Sequence, residues 1–453
     1  MLQSGSMFQV SRRQLHLDQH AAALPLLLVD VPTSPSVTTM FLANTGSRYE
    51  RAEQEGLAHF FEHMVFKGSR RYPTAQQLST TLDSVGADFN AFTSKEYTGY
   101  YVKAAVNHLP LAIDVLSDML FAPLLRQADI DREKGVIIEE LNMYKDNPAA
   151  HVGDVFDELF FSERGLAHQI VGRKETIRSF NSEDFRQFIS DFYQPDNLLL
   201  VVVGPVAQFG VQLDELLAQA VGKIEPSKSQ QSLRMRVTAQ NTSLSELAAQ
   251  KGFGRRRFKL IKRDSNQAHF VLAWPSLSTH SEERYALQLL STIIGGNMSS
   301  RLFSQVREER GLAYYVNSSV DFYQDAGAFA CSAGVDLQRA AEAIRVSRAV
   351  FEELASGAAP ITAEELRRAQ EYLRGKTLLS LESGQSVAQF FGLKQLLRAD
   401  ELSVDEILAR LAAVALPQLQ QLAAQLFTTA KPRLAIIGDF DGAAEKALRA
   451  TIN

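Results

Sequence analysis

Asn197-Leu-Leu-Leu-Val-Val-Val-Gly204 and Arg433-Leu-Ala-Ile-Ile-Gly438 carry one signature, a polar residue followed by an apolar run closed by glycine. Runs of this length and β-branched content predict strands. That the pattern occurs twice, late in each half of the chain, raises the question of an internal repeat. Other landmarks recur in the same order. Gly86-Ala-Asp-Phe-Asn-Ala-Phe-Thr-Ser94 in the first half has its counterpart in Gly311-Leu-Ala-Tyr-Tyr-Val-Asn-Ser-Ser319 in the second. Thr74-Ala-Gln-Gln77 and Thr279-His-Ser-Glu282 both read as capping boxes that open helices, the second helix ending at Gly295-Gly296. The matches lie roughly 225 to 235 residues apart, which predicts duplication of a whole α+β domain.

The elements between these landmarks suit that plan. Leu26 to Val31, Val37 to Asn44, Phe89 to Thr93 and Thr98 to Lys103 read as strands. Gly56 to Phe66, Asn107 to Leu120 and Ile130 to Tyr144 have helical periodicity. Phe258 to Lys262 and His269 to Trp274 read as the strands that reopen the pattern. We expect α+β architecture in two homologous domains, each a mainly antiparallel sheet with helices packed on one side. Residues 1–225 and 258–453 would form the domains. A polar linker would occupy 226–257, with one short helix at Leu244 to Ala249.

Bulk properties bound the function. The 453 residues suit two domains, and 45% hydrophobic with 22% charged residues is ordinary for a globular protein. A net charge of -5 argues against a nucleic-acid partner, which favours a basic face. Cys331 is the single cysteine, so no intramolecular disulfide forms. It lies in a strand-like run and reads as a small buried side chain. No apolar run approaches the ~20 residues of a membrane span. The opening residues lack a secretory pattern, so the expected compartment is the cytoplasm, or the periplasm if a signal peptide has been removed.

The chemistry concentrates in the first half. Residues 59 to 63 read His-Phe-Phe-Glu-His. On a helix, positions i and i+4 share a face, so His59 and His63 can clamp one divalent ion, with Glu62 beside them. A catalytic zinc takes three protein ligands and keeps a fourth position for water. A neighbouring carboxylate can take a proton from that water, the role we assign to Glu62. This order is the inverse of the commoner His-Glu-x-x-His. The matching helix of the second half, Tyr285-Ala-Leu-Gln-Leu-Leu-Ser-Thr292, has no such residues.

A third ligand is needed. Arg132 to Tyr144 is an amphipathic helix carrying Glu133, Glu139 and Glu140, with Ile137 and Leu141 toward the core. Glu133 and Glu140 are two turns apart on one face, whereas Glu139 projects about 100° away. That favours Glu140 as ligand and Glu133 as a neighbour orienting ligand or water. The same spacing also suits a solvated acidic face.

With these residues in view, the chain resembles the pitrilysin, insulin-degrading enzyme and mitochondrial processing peptidase family, as a short two-domain bacterial-type member. The family signature places its third-ligand glutamate 76 residues beyond His-x-x-Glu-His, and 76 residues separate His63 from Glu140. Glu133 matches the family's auxiliary glutamate. Gly56-Leu-Ala-His-Phe-Phe-Glu-His-Met-Val-Phe-Lys-Gly68 follows the family pattern throughout, and the resemblance covers nearly the whole chain. It implies that Asn90, Ala91 and Phe92 lie on a substrate-binding edge strand, where an extended peptide can add to unpaired backbone groups. It also implies that Arg307 and Tyr314, spaced as in the family's arginine–tyrosine motif, act on substrate. Arg307 would hold backbone or an acidic group, and Tyr314 would donate to the scissile carbonyl oxygen.

The expected activity is therefore that of a metalloendopeptidase with one Zn²⁺ per chain, cleaving internal bonds of short or unfolded polypeptides in a closed chamber. By the resemblance, two such domains per chain imply a homodimer. The partners would be peptide substrate and a second copy, with no nucleic acid and no membrane. The rivals are a catalytically inactive scaffold of the same fold, a chain active only with a partner protein, and an unrelated metallo-amidase.

Overall fold

We describe the protein from a computed structural model, for residues 7–16, 23–162, 164–222, 224 and 253–452. The short helix expected at Leu244 to Ala249, and most of the expected linker, lie outside the described residues.

Two sheets organise the chain. The first contains β1 (Gln9–Leu15), β2 (Leu24–Asp30), β3 (Ser36–Ala43), β4 (Asp88–Thr93), β5 (Thr98–Ala105) and β6 (Leu198–Gly204). Its strand order is β1-β2-β6-β3-β5-β4. The second contains β7 (Phe258–Lys262), β8 (Gln267–Ser276), β9 (Ala313–Phe322), β10 (Gly327–Asp336) and β11 (Arg433–Gly438), ordered β7-β11-β8-β10-β9. Without β1 the two orders superpose strand for strand. In each sheet one pair is parallel, β2 with β6 and β7 with β11, and the other pairs are antiparallel. The two glycine-closed apolar runs are β6 and β11, each in the interior of its sheet. Two copies of one α+β plan account for this recurrence.

The chain divides into two compact units that are not contiguous halves. The first comprises Met1–Asn142, His168–Arg236 and Leu378–Val404; the second comprises Met143–Ala167, Val237–Thr377 and Asp405–Asn453. Contiguous ranges were expected, and two helices cause the difference. In the first unit β3 is buried along almost its whole length, so both faces of its sheet are covered. Phe41 packs edge-on against Phe121 of the helix Leu109–Phe121. Its neighbour Leu42 points the other way. A side chain at Gly392 would meet Leu42 Cδ1 at 2.4 Å, so the helix Gly384–Arg398 covers that second face. The second unit repeats the device. Trp274 on β8 packs against Phe351 and Phe427 on one face. Arg433, which points to the opposite face by the β8–β11 register, lies over Phe160 of the helix Pro148–Phe160. Each sheet thus receives a second cover from a helix distant in sequence.

One local expectation fails. Thr279 does not cap a helix; the helix runs Arg284–Gly295, and Ser281 Oγ accepts from the Glu283 N–H in the preceding turn. Thr74 does cap as expected, accepting from the Gln77 N–H. Among the described residues no single helix is long and apolar enough to cross a membrane.

Candidate metal centre

The centre is built on two helices of the first unit, α1 (Leu57–Met64) and the longer helix Gln127–Asp146, here α2. Apolar residues fix the orientation of α1. Leu57, Ala58, Phe60, Phe61 and Met64 are almost fully buried. Phe60 packs edge-on against Phe180 and Phe185, and Phe61 against Tyr100, Phe188 and Tyr193. With that face committed to the core, His59, Glu62 and His63 are left on the other.

The start of α1 is pinned as well. Gly56 takes φ +96 and lies against Gly172, itself at φ +86. A Cβ on Gly56 would come within 2.7 Å of Gly172 Cα, so neither position has room for a side chain. The carboxylate of Glu50, buried, accepts from the Gly56 N–H at 2.8 Å and the Ala58 N–H at 2.7 Å. Two of the four N–H groups left free at a helix start are satisfied this way. Burial pushes the Glu50 carboxyl up to about 8, against the opposing pull of its backbone hydrogen bonds.

On α2, Ile130, Ile137 and Leu141 are buried, which turns Glu133 and Glu140 toward α1. His59 Nε2 lies 3.6 Å from Glu140 Oε1, and His63 Nε2 lies 3.4 Å from Glu140 Oε2. Donor atoms of the three residues all lie within 4.8 Å of one another. A tetrahedral zinc with bonds of about 2.0–2.1 Å separates its ligand atoms by about 3.3–3.4 Å. The two imidazole–carboxylate separations lie close to that spacing, each to a different Glu140 oxygen, and exceed a normal hydrogen bond. Glu139 stays outside the group, exposed, with Asn142 Nδ2 at 3.4 Å from its Oε1.

The surroundings prepare these donors. His63 Nδ1 donates to Glu133 Oε1 at 3.0 Å, which leaves Nε2 as the nitrogen facing Glu140 and free to bind a metal once its proton is lost. Lys67 Nζ, one turn beyond α1, holds the other Glu133 oxygen at 2.7 Å. His59 Nδ1 is buried with no hydrogen-bond partner among the described residues. The His59 and His63 imidazoles facing it pull the Glu140 carboxyl down to about 2. Burial alone would lower His63, but the hydrogen bond to Glu133 and the facing Glu140 carboxylate outweigh it and push the imidazole up to about 9. Burial likewise works against ionisation of Glu133, and its bonds to His63 and Lys67 reverse the effect and lower its carboxyl. Two imidazoles and a carboxylate at this spacing, with one imidazole's tautomer fixed from behind, fit a zinc ion.

Glu62 is not among the three donors. Its Oε2 accepts from Thr93 Oγ1 at 2.5 Å. Below it lie the buried hydroxyls of Tyr100 and Tyr193, 2.7 Å apart. Burial raises both phenols, which stay neutral.

The remaining expected residues are distributed as follows. Asn90, Ala91 and Phe92 lie on β4, the terminal strand of the first sheet, paired through Tyr101, Tyr100 and Gly99 of β5. Asn90 is exposed, Ala91 buried and Phe92 half-buried. Arg307 and Tyr314 belong to the second unit and the histidine–glutamate group to the first. Arg307 sits in a π-helical turn, Phe303–Glu308, with its guanidinium over the Phe303 ring. Tyr314 lies near the start of β9, the terminal strand of the second sheet, and is 77% exposed. Glu50, Lys67 and Thr93 were not anticipated. Nothing in a linear reading marks Glu50, because the capping residue of α1 is glycine and the carboxylate reaches it from across a turn.

Known proteins share both the sequence pattern and the fold. The pattern of the insulinase family, peptidase family M16, matches residues 26–174, and that of the peptidase M16 inactive domain matches 179–373. A protein of Streptomyces coelicolor named as an uncharacterized zinc protease is 33% identical over 92% of this chain and 87% of its own length. The zinc protease YmxG of Bacillus subtilis, also named as uncharacterized, is 34% identical over 89% of this chain and 93% of its own. Among solved structures, a protease from Helicobacter pylori superposes with a TM-score of 0.80 at 20% identity, covering 94% of this chain and 99% of that one. A peptidase M16 inactive domain from Pseudomonas fluorescens gives 0.81 at 17% identity, over 95% and 98%. Those two likenesses speak to the fold alone, while the sequence relatives carry the assignment: this two-domain chain belongs to the M16, or insulinase, family of peptidases.

Proposed function

We propose that this chain is a zinc-dependent endopeptidase acting on short or unfolded polypeptides, with His59, His63 and Glu140 holding one Zn²⁺ and Glu62 serving as general base. The observation that carries the reading is the convergence of three donor atoms from two helices within 4.8 Å, with a second, non-ligating carboxylate, Glu62, on the same helix as the histidines. The relatives' names support zinc and proteolysis at family level. A zinc ion held there supplies Lewis acidity, polarising a carbonyl and making a water acidic enough to lose a proton near neutral pH. Glu62 Oε1, free of hydrogen bonds among the described residues, accepts that proton and then delivers it to the leaving amine nitrogen. Glu133 keeps the His63 ring oriented, and Lys67 keeps Glu133 in place. An extended substrate adds to the open edge of β4 at Asn90 to Phe92, its backbone groups pairing as a further strand. Arg307 and Tyr314 are assigned to substrate: the forked guanidinium to backbone or an acidic group, the phenol to the carbonyl oxygen.

The deciding experiment compares the purified chain with its Glu62→Gln variant for zinc content and cleavage of a quenched peptide. Retained zinc with lost hydrolysis is the expected result. Hydrolysis at the wild-type rate removes Glu62 as base, and a zinc-loaded wild type that cleaves no peptide favours the inactive scaffold. The proposed homodimer is checked by sedimentation of the same preparation.

A further inference from the structure

The proposed reaction leaves open how the base is aimed. Glu62 has a flexible side chain on a short helix, and among the described residues none of the three proposed ligands hydrogen-bonds to it. One hydrogen bond to it stands out: Thr93 Oγ1 donates to Glu62 Oε2 at 2.5 Å. Resting on the reading above, we propose that Thr93 is the positioning residue for the general base. It engages one carboxylate oxygen so that the other is presented to the attacking water.

Three observations support the assignment. First, Thr93 is itself immobilised. It ends β4 and pairs with Thr98, the first residue of β5. The loop between them is closed by Ser94 N–H to Tyr97 O and anchored by Ser47 N–H to Ser94 O and Arg48 N–H to Lys95 O. Beneath the loop, Arg48 and Glu96 form a buried ion pair, and Lys95 Nζ donates to His168 O at 2.7 Å. Second, threonine restricts its own hydroxyl. A β-branched side chain on a strand has few χ1 choices, so Oγ1 has a defined direction. Third, the contact is selective. Among the described residues Thr93 makes no hydrogen bond to His59, His63 or Glu140, so its expected effect on metal binding is indirect. A carboxylate with one oxygen engaged by a short, charge-assisted hydrogen bond has lost most of its rotational freedom.

The strand that carries Thr93 also carries Asn90, Ala91 and Phe92. Strand alternation puts Ala91 and Thr93 on one face and Asn90 and Phe92 on the other. The edge proposed to dock the peptide and the group that aims the base are therefore parts of one rigid strand. Placement of the scissile bond and placement of Oε1 share a common frame, which is the condition for orientation to lower a barrier.

The test uses the full zinc-loaded chain and two variants. Thr93→Val keeps the shape and removes the hydroxyl, while Thr93→Ser keeps the hydroxyl. With a quenched peptide, Thr93→Val is expected to lower kcat about 10- to 100-fold with KM changed less than about twofold. Zinc content should equal wild type, and Thr93→Ser should recover kcat to within about fivefold. A Thr93→Val kcat equal to wild type overturns the proposal. Equal losses in both variants accompanied by loss of zinc also overturn it, because the residue would then merely support the fold. Crystal structures of the metal-free variants give a readout that needs no activity. The Glu62 carboxylate should leave its position in Thr93→Val and keep it in Thr93→Ser; an unmoved carboxylate in Thr93→Val refutes the positioning role. If Glu62→Gln proves fully active, the general-base reading fails on that result, and the crystal structures still decide what Thr93 holds.

Discussion

Replacing Glu50 by alanine tests whether the geometry of the metal helix is imposed from its N-terminus. The substitution leaves the Gly56 and Ala58 N–H groups buried with no carboxyl oxygens to accept them. Each such group costs about 1–3 kcal/mol, so the pair costs about 2–6 kcal/mol. For a unit of this size that is a drop in Tm of roughly 10 °C, at about 2–4 °C per kcal/mol. Glu50→Gln keeps one acceptor and should lose about half as much. Because Ala58 precedes His59, a frayed first turn also moves one arm of the clamp, and zinc affinity should fall about 10- to 100-fold. The pH dependence has a definite sign. The folded-state carboxyl is raised from 4.5 to about 8, chiefly by burial. Its stabilising contribution is thus present in full below the unfolded value and is lost as pH rises through about 8. The difference in Tm between wild type and Glu50→Gln should accordingly shrink from pH 5 to pH 9. Thermal unfolding followed across that range, with zinc affinity by chelator competition, checks all three outcomes. A Glu50→Ala protein within a degree of wild type, binding zinc normally, would refute the argument that this carboxylate sets the helix.

Gly172→Ala places a Cβ 2.5 Å from Glu55 O and 2.6 Å from Gly56 Cα at a backbone φ of +86, so it should destabilise the first unit by about 3 kcal/mol, measurable by calorimetry. Zinc uptake should release about one proton at pH 7, because the His63 imidazole in the metal-free protein is held up to about 9 by Glu133 and Glu140. Titration calorimetry in two buffers of different ionisation enthalpy reads this directly, and identical heats would contradict it. Cys331 is buried, and burial pushes its thiol up to about 12, so a disulfide reagent at pH 8 should leave the native chain unlabelled and react on unfolding.

The parts of this molecule that are legible in sequence are those written in local periodicity. His59, Glu62 and His63 announce themselves because a helix turns spacing into a shared face, and the buried positions of α2 select Glu140 over Glu139 by the same rule. The duplication is legible because strand-forming runs recur in order, down to the glycine that closes β6 and β11. Amphipathicity, however, says that a helix buries a face and not which sheet receives it. Pro148–Phe160 and Gly384–Arg398 have ordinary apolar faces, and nothing local records that each completes the unit whose sheet is distant in sequence. The unanticipated site residues fail the same way. Glu50 serves an N-terminus six residues on, across a turn that no capping pattern describes, and Thr93 meets Glu62 from 31 residues away. The proposed metal ligands are thus specified along the chain, whereas the groups that hold those residues and the proposed base in place are specified by the folded surface between strand and helix. A sequence search that requires only His-x-x-Glu-His and a later glutamate will therefore accept chains in which the ion binds but the base is not aimed. Substitution at the position of Thr93 is where such a chain should first differ.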